Sequence, residues 1–323
     1  MRMPTIVEPS VAAIGEAARR LLLGHVVALP TETVYGLAGR TSDLTALQRI
    51  YALKGRPEDN PLIAHVLDAN QAQRLTPRWS AAAQQLADAF WPGPLTLILP
   101  RHPDVPAIAT GGRSTIAIRA PHHDVFRAVL ARTGSVLSAP SANRSGHISP
   151  TLAQHVANDF ADDESLLILD GGATVIGIES TVLDLTTTVP LVRRPGAITI
   201  DAIRDVIGDV DHVDDGAQSD SPGTSSRHYA PRTPATLVAT ADLRHAIEAV
   251  VGRAVVVRWT DANVPAPHES VRMPDDPVAY AAALYRVLRD ADACAADAML
   301  IERPPETPAW RAIYDRLRRA TIG

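Results

Sequence analysis

The sequence predicts an α/β protein in two parts, and three observations carry that prediction. Short apolar runs of strand length alternate with stretches of helical spacing through the first two-thirds of the chain. At 323 residues the chain is longer than one hydrophobic core usually organises. Between residues 209 and 234 the alternation gives way to Asp, Ser, Gly and Pro, the composition of a linker. A hydrophobic share of 46% and a charged share of 21% suit a folded globular chain, so each part has material for a core.

Taken in order, the runs at 26–29, 62–66, 95–99, 115–118, 135–137, 166–169 and 182–185 read as buried strands. Between 42 and 54, Leu44, Leu47, Ile50, Tyr51 and Lys54 share one helical face, with Ser42 or Asp43 as cap and Gly55 as stop. The expected division is a first domain over 6–208, a linker over 209–234 and a second domain over 235–323. The linker's first half is acidic and featureless. Its second half carries Arg227, His228 and Tyr229 between turn-forming residues, and an aromatic there needs something to pack against. In the second domain a strand at 235–239, a helix at 241–251 and a strand at 254–259 begin another α/β unit, followed by helices at 277–290 and 310–320.

Several function classes are excluded at this level. Cys294 is the single cysteine, so there is no internal disulfide and no Cys-rich metal site; it reads as helix packing in a reducing compartment. The apolar run at 21–29 is too short to span a bilayer and is broken by His25. Glu8 and Glu16 before it, and Pro30-Thr31-Glu32-Thr33 after it, make a poor signal peptide, so a cytoplasmic protein with no membrane partner is expected. A net charge of -5 argues against direct, stable nucleic-acid binding. The two commonest phosphate-binding fingerprints, GxxxxGK[ST] and GxGxxG, are missing, as is HExxH.

What recurs instead is a strand followed by a short loop of hydroxyls, amides and a cation, where ligands of open α/β domains collect. Five such places stand out: Pro30-Thr31-Glu32-Thr33-Val34-Tyr35-Gly36-Leu37, Lys54-Gly55-Arg56-Pro57 with Asn60-Pro61-Leu62 and His65, the strand from Thr115 to Arg119, Ser138-Ala139-Pro140-Ser141-Ala142-Asn143 with Ser145-Gly146, and Glu179-Ser180-Thr181 with Arg194-Pro195-Gly196. Each alone has a plain alternative: Thr31 and Thr33 as helix caps, Asn60 in an ordinary turn, His65 as a satisfied core histidine. Their joint appearance at successive strand ends points to one anion-binding pocket. Lys54 adds weight, because it is the single lysine beside thirty arginines, and a site needing a compact ammonium does not accept the exchange.

These motifs, with Trp91-Pro92-Gly93-Pro94-Leu95-Thr96, span nearly all of residues 25 to 200. Together they resemble the two-domain form of the threonylcarbamoyl-AMP synthase family. That resemblance implies a YrdC-like twisted mixed-sheet catalytic domain followed by a smaller Rossmann-like domain. After Ser221-Pro222-Gly223 the chain has Thr224, Ser225 and Ser226 where the family has Met, a basic residue and an aromatic one.

The resemblance implies a nucleotidyltransferase that forms threonylcarbamoyl-AMP and pyrophosphate from L-threonine, bicarbonate and ATP, for threonylcarbamoyladenosine modification of tRNA. By the same resemblance Thr33, His65, Arg119 and Ser180 hold L-threonine. Lys54, Arg56, Asn60, Thr115, Ser141, Asn143, Ser149, Arg194 and Tyr229 hold ATP, with Lys54 and Arg56 nearest the chemistry. Mg²⁺ is expected to arrive with ATP rather than in a dedicated protein metal site, and downstream tRNA threonylcarbamoyl transferase proteins are the expected recipients of the product. An RNA-binding module and carbamoyl transfer of the hydrogenase-maturation type are the rival readings, separated by threonine-dependent pyrophosphate release.

Overall fold

The alternating runs build two sheets. A computed structural model describes residues 4–213 and 228–321 of the chain; the expectations placed on Ser221 to Arg227 lie outside the described residues. In chain order the first part contains β1 (Thr5–Val7), α1 (Val11–Leu22), β2 (Val27–Leu29), β3 (Gly36–Arg40), α2 (Leu44–Lys54), β4 (Ile63–His65), α3 (Ala69–Gln73) and α4 (Ala81–Phe90). It continues through β5 (Leu95–Pro100), β6 (Thr115–Arg119), α5 (Asp124–Thr133), β7 (Leu137–Ser138), α6 (Ala153–Asp159) and β8 (Leu167–Leu169). β9 (Thr181–Asp184), β10 (Leu191–Arg194), α7 (Ile200–Ile207) and β11 (Asp211–His212) complete it.

All eleven strands join one mixed sheet in the order β1-β8-β2-β3-β7-β4-β6-β5-β9-β10-β11. Side-chain alternation sorts the strands between two layers. Ala28, Leu37, Leu97, Ile118 and Ile168 face α2, α4, α6 and α7, whereas Val27, Leu29, Ala38, Leu167 and Leu169 face α1 and α5. Helix boundaries follow local chemistry. Asp43 accepts from the Ala46 amide at 3.0 Å to start α2, and Gly55, at φ 59°, ends it in the left-handed region that suits glycine. Leu47, Ile50 and Tyr51 of α2 are buried as the spacing predicts, each contributing about 1.5 to 3 kcal/mol. Leu44 is not: it opens the helix beside the cap and stands in solvent, 56% exposed.

The second part contains β12 (Ala235–Val238), α8 (Leu243–Glu248), β13 (Ala254–Arg258), β14 (Glu269–Arg272), α9 (Pro277–Ala293), β15 (Ala298–Glu302) and α10 (Arg311–Thr321). Its four strands run wholly parallel in the order β12-β15-β13-β14, a small Rossmann-like sheet. The helix expected over 241–251 divides into a 3₁₀ turn at Thr240–Asp242 and the short α8. Two residues of the segment expected as linker, Asp211 and His212, pair with β10 as the last strand of the large sheet.

The two parts share a core. Val255, Val257, Met299 and Ile301 meet Tyr280, Leu284, Leu288, Ile313 and Leu317 of α9 and α10, and the same cluster takes in Val34, Ile148 and Ile178 of the first domain together with Tyr229. α9 and α10 therefore serve both domains. Arg289 of α9 reinforces the contact, pairing with Asp159 at 2.7 Å. Among the described residues no helix is long and apolar enough to cross a membrane.

Candidate active site

Ile63, Ile98, Ala117 and Val182 form a small apolar floor on one face of β4, β5, β6 and β9. Alternation puts His65 and Arg119 on the same face, in register opposite each other. Over this floor lies a cavity walled by the loops after β2 and β7, by Glu179 and Ser180, and by His228 and Tyr229. Thr33, Arg56, His65 and Arg119 line it, as do Ser141, Ser180, Arg194 and Tyr229. The strand-end loops thus converge as the sequence predicts.

Arg119 organises one side. Its Nη1 donates to Thr33 Oγ1 at 2.9 Å and its Nε to the Gly93 carbonyl at 3.2 Å, while Nη2 lies 2.7 Å from Glu32 Oε1. The last contact runs off the N–H axis, so both Glu32 oxygens are buried without an aligned hydrogen bond and the pair is held by charge. Burial raises the Glu32 pKa, but the Arg119 charge more than offsets it and keeps the carboxyl below its ordinary range. Thr31 Oγ1 donates to the Val34 carbonyl at 2.6 Å, which leaves Thr33 as the donor in the 2.8 Å contact between the two hydroxyls. His65 is neutral, because burial first and the Arg119 charge second lower its pKa to about 3. Ser180 Oγ lies 2.8 Å from Thr96 Oγ1 and accepts from Arg194 Nη2 at 3.1 Å.

The other side is built differently. Arg56 turns its guanidinium to the Asn60 carbonyl at 3.2 Å, the Asn60 amide oxygen and the Pro61 carbonyl at 2.9 Å. Burial lowers its pKa to about 10, so it stays cationic at neutral pH. Lys54 donates to the Ser141 and Asn143 carbonyls, both at 2.6 Å, from beneath the loop that lines the cavity. Burial, then the neighbouring Arg56, depresses its pKa well below the lysine range. Arg194 Nε donates to the Ser180 carbonyl at 3.1 Å. Gly196 lets this strand end close on the next, since a Cβ there would fall 2.3 Å from the Thr181 amide nitrogen.

Five of the expected ATP residues do not line the cavity. Besides Lys54, Asn143 donates to the Arg144 and His147 carbonyls at 2.8 Å each, Ser149 donates to Glu179 Oε1 at 2.6 Å, and Asn60 braces Arg56. Thr115 lies on the cavity face of β6 but at its far end, opposite Pro100. Sequence reasoning passed over Thr31, Glu32, Glu179 and His228, although each sits within or beside a motif already quoted. His228 is buried, with its pKa lowered to about 3 by desolvation. Glu179 stays ionised: burial raises its pKa, and Arg316 and Arg194 pull it down to about 2. Tyr229 is fully buried at φ 61°, a conformation uncommon for a non-glycine residue, held by stacking on Tyr285.

With the geometry in place, comparison with known proteins is specific. Residues 19–196 match the family model Sua5_yciO_yrdC, described as "Telomere recombination". Residues 198–321 match the one described as "Threonylcarbamoyl-AMP synthase, C-terminal domain". The threonylcarbamoyl-AMP synthase of Bacillus subtilis is 41% identical, with 96% of this chain and 93% of that protein aligned. The one from Pyrococcus abyssi is 38% identical, over 92% and 91%. The crystal structure of P. abyssi Sua5 complexed with L-threonine superposes with a TM-score of 0.89 at 35% identity, covering 99% of this chain and 97% of that one. The cation-lined strand-end cavity therefore sits in a chain that belongs to the threonylcarbamoyl-AMP synthase family, in its two-domain form.

Proposed function

We propose that the cavity over β4, β5, β6 and β9 is where L-threonine, bicarbonate and ATP become threonylcarbamoyl-AMP and pyrophosphate. The observation that carries this reading is the convergence of Arg56, Arg119 and Arg194 on one enclosed space, with Lys54 directly behind. The threonine amine attacks bicarbonate carbon, forming an N–C bond with loss of water and giving a carbamate. A carbamate oxygen then attacks the α-phosphorus of ATP, and the bond to the β-phosphate oxygen breaks to release pyrophosphate. Carboxylate, carbamate and triphosphate must lie side by side, which only a pocket dense in cations and fixed donors allows. No protein nucleophile is needed.

Arg119, Thr33, His65 and Ser180 hold threonine, Arg119 facing the carboxylate and neutral His65 accepting or donating without adding charge. Arg56, Ser141 and Arg194 face the phosphates. Lys54 fixes the Ser141 to Asn143 loop and lends its charge from below, while Asn60, Asn143 and Ser149 support the wall. Thr115 reaches the longer reactant along β6, and Tyr229 with His228 covers the reacting groups from water. Mg²⁺ enters as part of the nucleotide substrate, bound through phosphate oxygens. The adenylate passes to a tRNA threonylcarbamoyl transferase in the cytoplasm, a division of labour supported by the net charge of -5, which ill suits a tRNA-holding surface.

The test is pyrophosphate release by the purified chain. Release that needs ATP, L-threonine and bicarbonate together is the expected result, with serine poorer because a pocket enclosing the threonine methyl gains about 1 to 3 kcal/mol from it. Release that is indifferent to bicarbonate, or equal with serine, contradicts the assignment.

A further inference from the structure

Glu179 poses a problem for a cavity that takes a triphosphate. It lines the space beside Arg194, is ionised, and on its own would repel the phosphates. The groups acting on it are Ser149, Arg194, Lys54, His228 and Tyr229, and, from α9 and α10, Tyr285 and Arg316, with Asp315 paired to Arg316. Among the described residues its carboxylate oxygens accept three hydrogen bonds. Ser149 gives the first, and the other two come from the second domain: Arg316 Nε at 2.8 Å and the Tyr285 hydroxyl at 2.9 Å, both on Oε2.

The same two residues hold Tyr229. The Tyr285 ring stacks on it at 5.5 Å with 29° between planes, and the Arg316 guanidinium lies 5.5 Å over its face. The Arg316 side chain is fully buried and is itself fixed by Asp315 at 2.8 Å. One arginine and one tyrosine of the second domain thus grip both a charged wall residue and an aromatic wall residue of the cavity. Arg289 joins the domains differently: its bonds go to Asp159 and to the Ile148 and Ser149 carbonyls, and among the described residues it makes none to Glu179 or Tyr229 itself.

We propose that Arg316 and Tyr285 are positioning residues for the reaction, neutralising Glu179 from outside the cavity and fixing Tyr229 over it, so that the nucleotide site is complete only when the second domain is docked. With Arg316 on the carboxylate as well, Glu179 does not draw on the Arg194 charge alone. The inference rests on reading the cavity as the adenylate-forming site, and it assigns the second domain an electrostatic task rather than a ligand.

The test compares Arg316→Met, Arg316→Lys, Tyr285→Phe and Arg289→Met in the full chain, by steady-state pyrophosphate release and by calorimetric titration with ATP. Arg316→Met should lower kcat/KM for ATP about 10- to 100-fold, the size expected for losing a charge-assisted bond, while KM for threonine moves less than about threefold. Arg316→Lys should recover part of the loss, and Tyr285→Phe should shift ATP parameters the same way by a smaller factor. Arg289→Met, which weakens the same domain interface elsewhere, should lower the thermal midpoint without the ATP-selective loss.

Wild-type ATP parameters in Arg316→Met and Tyr285→Phe overturn the proposal. So does an equal ATP-selective loss in Arg289→Met, which would reduce Arg316 to a docking contact. If Arg316→Met does not fold, Tyr285→Phe and Arg316→Lys decide by the same criteria. Should the wild-type chain release no pyrophosphate, the adenylate-forming reading fails, and ATP titration of the same variants still reads whether Arg316 and Tyr285 build the nucleotide site.

Discussion

The two sides of the cavity solve the problem of burying cations in opposite ways. On the side of Arg119 the charge is cancelled in advance by Glu32, 2.7 Å away, and the remaining donors are turned to Thr33 and the Gly93 carbonyl. On the side of Arg56 and Lys54 the contacts are carbonyl and amide oxygens: Asn60 and Pro61 for one, Ser141 and Asn143 for the other. Dipoles stabilise a cation without neutralising it. One side therefore stays close to neutral and suits a zwitterion such as threonine; the other keeps net positive charge and suits a polyanion. The difference teaches that the number of arginines on a wall says less about its ligand than what those arginines are already bonded to.

The sharpest way to break this contrast is Arg119→Met. It leaves the Glu32 carboxylate buried and unpaired, which should cost about 3 to 5 kcal/mol of stability, read as a lower urea midpoint, besides abolishing threonine binding. If stability is unchanged, the pre-neutralised side does not depend on that ion pair. Next comes Lys54→Arg. A guanidinium cannot fit between two carbonyls each 2.6 Å from the ammonium, so the Ser141 to Asn143 loop must shift. Turnover should fall about 10- to 100-fold with little change in threonine KM, and wild-type kinetics would remove Lys54 from the phosphate side.

The third prediction concerns a feature both sides share, a neutral buried histidine. His65 and His228 each have a folded-state pKa near 3, below the ordinary value of about 6.5, so the unfolded chain takes up protons first as pH falls. Stability should be intact above about pH 6.5 and decline below it, by at most about 1.4 kcal/mol per pH unit for each histidine. Urea unfolding between pH 7.5 and 5.5 measures the slope, and His65→Asn should reduce it. An unchanged slope would mean that His65 is protonated inside the folded protein.

Much of this was legible in the sequence, and the parts that were not share a cause. Strands buried on both faces announced themselves as apolar runs, and the polar motifs at or near their ends carried the cavity residues Thr33, Arg56, Arg119, Ser141, Ser180 and Arg194. β3 was hidden because Gly36 and Gly39 occupy two of its five positions, and β14, Glu-Ser-Val-Arg, is a largely exposed edge with no apolar run. Which way a polar side chain turns was not legible either. Asn143 sits in the expected motif and Ser149 just beyond it, yet Asn143 spends its donors on the nearby Arg144 and His147 carbonyls and Ser149 on Glu179, thirty residues along the chain. Arg316 and Tyr285 carry no local signal at all, since their role arises from where two helices of a second domain come to rest.

The burial of Lys54 has a practical side. It is the only lysine in the chain and is 2% exposed, so no side-chain amine stands free on the surface. Apart from the α-amino group, reagents that acylate amines, and the enzymes that acetylate or tag lysine in cells, find a single such group, locked under the Ser141 to Asn143 loop. Acylation of that one position becomes a clock for the opening of the cavity, and a protein otherwise rich in cations is nearly invisible to chemistry aimed at lysine.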